Sequence, residues 1–129
     1  MINIPQISSS YIIDTFLESV STYFHLCVND ACQDATTTLA SFVEASFSGY
    51  SPQEMSKWSP AQPFWFCSRA LGDSLRWTVT AAGPQQFVWG YYVTDEANGP
   101  LLWAEAAESA PIPVYAAGDA VLLTPSLSL

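Results

Sequence analysis

The chain has 129 residues, with 3 Lys+Arg against 12 Asp+Glu, a formal net charge of -9 and only 12% charged residues. That length fits one domain of ordinary size, and half the residues are hydrophobic and 14% aromatic, which argues against disorder. Three cations cannot build a footprint for nucleic-acid phosphates or an anionic membrane surface, so neither is expected as a partner.

The first twenty residues hold no Lys or Arg, and Asp14 and Glu18 interrupt the apolar cluster. A secretory signal needs a basic start and an unbroken apolar run, so the expectation is a chain made in the cytoplasm and not exported by a standard signal. No stretch approaches the ~18 uninterrupted apolar residues of a membrane span.

An extended arm containing Pro5 leads into a short helix over residues 11–20. There Ile13, Phe16, Leu17 and Val20 recur at helical spacing, with Ser8 to Ser10 as N-cap hydroxyls. From Val20 the period changes to two. Val20, Thr22, Phe24, Leu26 and Val28 share one face and Ser21, Tyr23, His25 and Cys27 the other, which predicts a half-buried strand ending at Asn29-Asp30. Residues 31–62 are ambiguous: Leu39, Phe42, Val43 and Phe47 suit a helix, whereas Val43, Ala45 and Phe47 suit a strand.

The second half alternates plainly. Leu75, Trp77 and Val79 form the apolar face of a strand over 74–80, and Phe87, Trp89, Tyr91 and Val93 that of a strand over 85–94. Residues 95–99, ending in Asn-Gly, predict a hairpin to Leu101–Glu105. Ile112–Ala116 reads as an edge strand beside Pro111 and Pro113. Gly118-Asp119 turns into a last strand, Ala120–Leu129. Short strands with regular turns predict a mainly β fold, an antiparallel β-sandwich or barrel-like domain over 20–129, preceded by an arm and helix over 1–19.

Little in the sequence suggests catalysis, and no enzyme is expected. The single histidine, His25, lies in a strand without a nucleophile motif and reads as a hydrogen-bonded strand residue. Asp95, Glu96, Glu105, Glu108 and Asp119 could supply a carboxylate pair, but three of them sit at turns, where acids cap and solvate loops. Asp95, Glu96 and Asn98 lack a calcium-loop pattern. Three cysteines and one histidine are the whole soft-ligand inventory, so no metal site and no cofactor are expected. Cys27, Cys32 and Cys67 read as thiols in or near strands, with a Cys27–Cys32 bridge open only in an oxidising setting.

The aromatic residues offer a second kind of surface. Trp77 and Trp89 fall on apolar strand faces and read as core, leaving Trp65 and Tyr92 as exposed rings able to stack on a sugar or a protein partner.

One composite signature stands out. Val88-Trp89-Gly90-Tyr91-Tyr92-Val93-Thr94-Asp95 is followed by Leu101-Leu102-Trp103-Ala104-Glu105, then by Gly118-Asp119 and Leu123-Thr124-Pro125-Ser126-Leu127-Ser128-Leu129. Upstream stand Phe42-Val43-Glu44-Ala45-Ser46-Phe47-Ser48-Gly49-Tyr50 and the strand His25–Asp30. In these elements residues 20–129 resemble a family of small, mostly uncharacterised virion proteins of tailed bacteriophages. The chain departs from that pattern at Ala106-Ala107-Glu108, where the family often has an aromatic or basic residue. The resemblance implies a virion structural protein, foremost a capsid decoration (cement) protein. A tail, neck or baseplate component and a host-glycan-binding module are the alternatives. It implies the major capsid protein or another virion protein as partner, and a homo-oligomer, a trimer or dimer. Trp65, Tyr92, Trp103, Tyr115, Leu127 and Leu129 are the candidate interface residues.

A low charged fraction agrees with burial between subunits, because interface cores are depleted of charge. The last ten residues carry no charged side chain, so as an open strand edge they would invite pairing.

Overall fold

A computed structural model of the chain describes residues 6–30, 37–55, 57–65, 67–107 and 109–129. Cys32 and the side chain of Glu108 lie outside the described residues, as does the arm 1–5. The helix α1 runs Gln6–Ser19 and is followed by β1 Thr22–Cys27, a 3-10 turn at Leu39–Ser41 and β2 Gln53–Glu54. Then come β3 Gln62–Phe64, β4 Cys67–Leu71, β5 Leu75–Thr78, β6 Gln86–Val88, β7 Gly90–Asp95 and β8 Leu101–Ala106. The chain closes with β9 Ile112–Val114, β10 Ala120–Leu123 and β11 Ser126–Ser128.

The fold is mainly β, an open antiparallel sandwich with one helix. The largest sheet has the order β2-β1-β7-β8, and the smaller ones are β11-β4-β3, β10-β5 and β6-β9. The principal core lies between the inner face of the large sheet and the β5, β6, β9 and β10 ribbons. Phe24, Leu26, Tyr91 and Val93 meet Trp77, Val79, Val88, Val114 and Val121 there. Phe24 is fully buried and sits 5.4 Å from Tyr91, 6.1 Å from Trp103 and 6.2 Å from Trp58, ring centre to ring centre. Rings of this size contribute most of the buried apolar area, and area removed from water is the main favourable term in folding.

The helix packs on the other small sheet. Its buried residue Ile13 meets Ala61 and Ala70, with Leu17 and Leu127 beside them. It starts earlier than the hydroxyl-rich run suggested, so Ser8 to Ser10 are helical rather than caps. Ser9 and Ser10 instead bond side chain to side chain with buried Ser68 of β4, at 2.9 and 2.8 Å.

Three expectations need correction. The strand expected over 85–94 is two strands in two sheets. Val88 and Tyr91 both point into the core, so alternation slips between them, and Trp89 leaves the main core for the opposite face of the large sheet. Gly90 begins β7 at a point so crowded by the Glu105 carbonyl that a side chain would not fit. The terminal strand is likewise two strands, broken before buried Pro125, with β10 on β5 and β11 on β4. And β1 is buried on both faces, because residues 42–45 fold over its second side. The ambiguous 37–47 stretch is a 3-10 turn followed by extended chain. Ala45 N–H donates to Leu26 and Val28 N–H to Val43, while the Asn29 side chain holds Ser41 and Val43 at 2.8 Å each.

The predicted hairpin joins β7 and β8, with Glu96 in the left-handed region (φ 60). Among the described residues no helix is long and apolar enough to cross a membrane.

Candidate interaction surface

Two places collect the residues singled out by sequence: a polar cluster on β1, buried at His25 and open to solvent at Glu44, and an open apolar end beside α1.

The polar pocket centres on His25, 4% exposed. Its Nδ1 lies 2.6 Å from Glu44 Oε2 and its Nε2 lies 2.9 Å from Thr94 Oγ1. Thr94 has one hydroxyl proton and donates it to the Glu96 carbonyl at 2.6 Å. Both ring nitrogens are thus engaged, one by a carboxylate and one by a hydroxyl, with the donor and acceptor roles set by the tautomer. The hydrogen-bond set therefore ties His25 to Glu44 and to Thr94 at once. Tyr50 donates to the same Glu44 oxygen at 2.6 Å and accepts from Leu26 N–H at 3.1 Å. The imidazole stacks on Tyr92 at 4.6 Å and 5°.

The connectivity Thr94–His25–Glu44 is that of a nucleophile, base and orienting acid. Thr94, however, is 1% exposed and its proton is committed to a carbonyl, so the geometry is that of a structural clamp between β1, β7 and the 42–45 segment.

Tyr92, expected on an exposed face, is 6% exposed and stacks on His25 and on Phe42 at 4.7 Å. The expectation fails because alternation puts Tyr92 opposite Tyr91, but the sequence gives no sign that a second layer covers that side. Burial, helped by the nearby Glu44 charge and Cys27, pushes the Tyr92 phenol up to about 12. Burial and the Glu44 hydrogen bond raise Tyr50 as well. Tyr91, which donates to Glu105 at 2.6 Å, is raised mainly by burial and by that bond. The Trp103 indole N–H opposes that shift without reaching hydrogen-bonding geometry, and it has no acceptor among the described residues.

The open end is built by β4. Ser68 is one residue into that strand; it bonds the helix through its hydroxyl and Leu129 through both backbone groups at 3.0 Å. The first turns of α1, the β3–β4 turn and the end of β11 therefore converge. Trp65 sits in that turn, 81% exposed and in the left-handed region at φ 54. Phe64 lies edge-on to it at 6.4 Å, under the Arg69 guanidinium at 3.7 Å. Tyr11 (72%), Ile12 (43%) and Leu129 (50%) are exposed at the same end.

Between helix and strands runs an apolar groove of about 250 Å³ lined by Ile12, Ile13, Phe16, Leu102, Trp103, Leu127, Ser128 and Leu129. Three of the six expected residues, Trp103, Leu127 and Leu129, meet in it, with Trp65 on the neighbouring turn. Tyr115, half exposed, lines a different cleft with Phe47 and Val79. Tyr11, Ile12 and Phe64 were missed. For the helix the signal was present, because Tyr11 and Ile12 fall off the Ile13–Phe16–Leu17 stripe and must face outward.

Cys27 is buried in β1, where burial pushes its thiol up, and Cys67 opens β4 with its sulfur 3.2 Å from the Phe64 carbonyl. Among the described residues no three of His, Cys, Asp and Glu converge as metal ligands would.

Comparison with known proteins finds no matching family model, no matching curated protein and no matching solved structure.

Proposed function

We propose that the chain is a structural protein of a tailed-bacteriophage virion, a decoration protein that docks on the capsid through its apolar end. The observation that carries this reading is the convergence of Tyr11, Ile12, Phe64, Trp65 and Leu129 at one end of a chain with few charges. Rings and aliphatic chains exposed together are what a protein partner covers, and Trp is enriched where binding energy concentrates. A ligand that binds only the assembled shell stabilises that shell by mass action. The partner in this reading is the major capsid protein or another virion protein, and a trimer or dimer of the chain would bury further edges around a symmetry axis.

The test is thermal disruption of phage particles with and without the protein, read by release of packaged DNA. Depleted particles should burst at lower temperature, and re-adding the wild type, but not Trp65→Ser/Ile12→Ser, should restore them. Unchanged bursting would defeat the cement role. Density for the chain on the tail or baseplate of intact particles would move it there.

A second reading, host-glycan binding, draws on the exposed Trp65 ring alone. It predicts glycan-array signal from the isolated protein that Trp65→Ser abolishes.

A further inference from the structure

The tip of the β7–β8 hairpin is pinned at its ends and free at its centre. Asp95 N–H donates to the Pro100 carbonyl at 3.0 Å, the Asp95 carboxylate accepts from Ser21 N–H at 3.0 Å, and Glu96 N–H donates to the Ser21 carbonyl at 2.8 Å. Between these pins Ala97 and Asn98 are exposed, and the Asn98 carboxamide bonds none of the described residues. The Gly99 N–H reaches the Glu96 carbonyl at 3.4 Å, long for a hydrogen bond, so the backbone nitrogen after Asn98 is weakly held.

The fold itself places a glycine after this asparagine. A Cβ at residue 99 would collide with the Asp95 carbonyl oxygen, so a side chain there would force the turn open. Glycine is also the successor that shields its own backbone nitrogen least. Asn29 is the counterexample in the same chain. It follows β1, but its side chain is held on Ser41 and Val43 at 2.8 Å each, and Asp30 comes next. The bonds that clasp Asn29 must break before its carboxamide can turn back on the chain, whereas Asn98 has none to break.

We propose that Asn98 is a self-modification site, converted through a cyclic imide to aspartate and isoaspartate with water as the co-reactant. Loss of the Gly99 amide proton leaves a nitrogen that bonds to Asn98 Cγ. The Cγ–Nδ2 bond breaks, and the amide nitrogen departs as ammonia with that proton. Water then opens the imide ring. Addition at Cγ breaks its bond to the Gly99 nitrogen and restores the main chain with an aspartate side chain. Addition at the Asn98 backbone carbonyl breaks the original peptide bond and leaves the chain routed through Cγ as isoaspartate. Nothing is oxidised or reduced. Either product sets a new carboxylate beside Asp95 and Glu96 and adds one negative charge to the chain's -9. Isoaspartate also lengthens the turn by one backbone atom. The inference does not depend on the virion reading.

The test incubates the full folded chain in warm, mildly alkaline buffer made with heavy-oxygen water and maps its peptides by mass spectrometry. The peptide holding Asn98 should lose its amide nitrogen, take up one heavy oxygen and split into two chromatographic peaks. The larger peak should be methylated by an isoaspartate-specific methyltransferase. Conversion at Asn98 should outpace that at Asn29 by about tenfold or more, a difference set by the bonds that hold Asn29. An acidic species should grow on anion exchange in the wild type and be lost in Asn98→Gln, whose longer side chain disfavours the ring. A folded chain that keeps Asn98 intact while the urea-unfolded chain converts it overturns the inference. So do aspartate formed without isoaspartate, equal rates at Asn29 and Asn98, and an acidic species that persists in Asn98→Gln.

Discussion

The two faces of the large sheet solve burial by different means. The inner face excludes water with rings and branched chains, and its ordering needs no particular proton. The outer face of β1 and β7 holds a histidine, a carboxylate and hydroxyls, each fixed by a named partner, under a lid of Phe42 and Tyr92. Apolar packing tolerates small adjustments, whereas a buried polar set loses heavily when one member goes, because the remaining groups stay dry and unpaired.

The largest effect should come from the inner face. Phe24→Ala removes a fully buried ring touching three others and should cost about 4 kcal/mol, read from the urea midpoint. A loss below 1 kcal/mol would mean that the core repacks and the contrast is false. On the outer face Thr94→Val keeps the shape but strands His25 Nε2 and the Glu96 carbonyl. It should cost about 2 kcal/mol. The ring nitrogen chemical shifts of His25 should move in Thr94→Val, and unchanged shifts would refute the clamp as described.

Alkali tests both faces at once. Tyr91 and Tyr50, which pack with the inner core, and Tyr92 in the outer layer have phenols raised above the ordinary value of 10.0. A raised acid favours its protonated form in the fold, so its stabilising contribution is complete below pH 10 and is lost as pH climbs through the folded value, about 12 for Tyr92. Stability should fall steadily above pH 10, with tyrosinate absorbance of these residues delayed in the folded protein relative to the unfolded chain.

The smallest effect lies at a turn. Asp119 accepts from Ala116 and Tyr115 N–H at 2.9 and 3.1 Å, which holds its carboxyl below the usual range. Its contribution is present above the unfolded value and is lost as pH falls through the folded one. Acid should therefore speed amide exchange at Tyr115 and Ala116 while leaving β7 untouched.

Local periodicity made the inner face legible. Phe24 and Leu26, Leu75 and Trp77, and Tyr91 and Val93 alternate in sequence and do so in the structure. The helix stripe and the β7–β8 hairpin were equally readable. The polar pocket was not, because its members are 19 and 69 residues from His25 and no local pattern announces such pairings. The broken strands were missed for a related reason: the slip at Trp89 and the stop at Pro125 are set by which sheet each half joins, and that choice is made by distant chain. Of the candidate surface, the sequence supplied Trp65 and the groove residues Trp103, Leu127 and Leu129. It misplaced Tyr92, whose cover comes from a stretch with no clear period.

Trp65 carries one more consequence. A left-handed backbone at a non-glycine residue costs about 1 kcal/mol or more, and here the residue bearing that cost is the largest side chain, held mostly in water. Trp65→Gly should therefore melt at a higher temperature than the wild type while presenting a blunter tip. Thermal resistance of the fold and the size of its exposed tip are set against each other at this position.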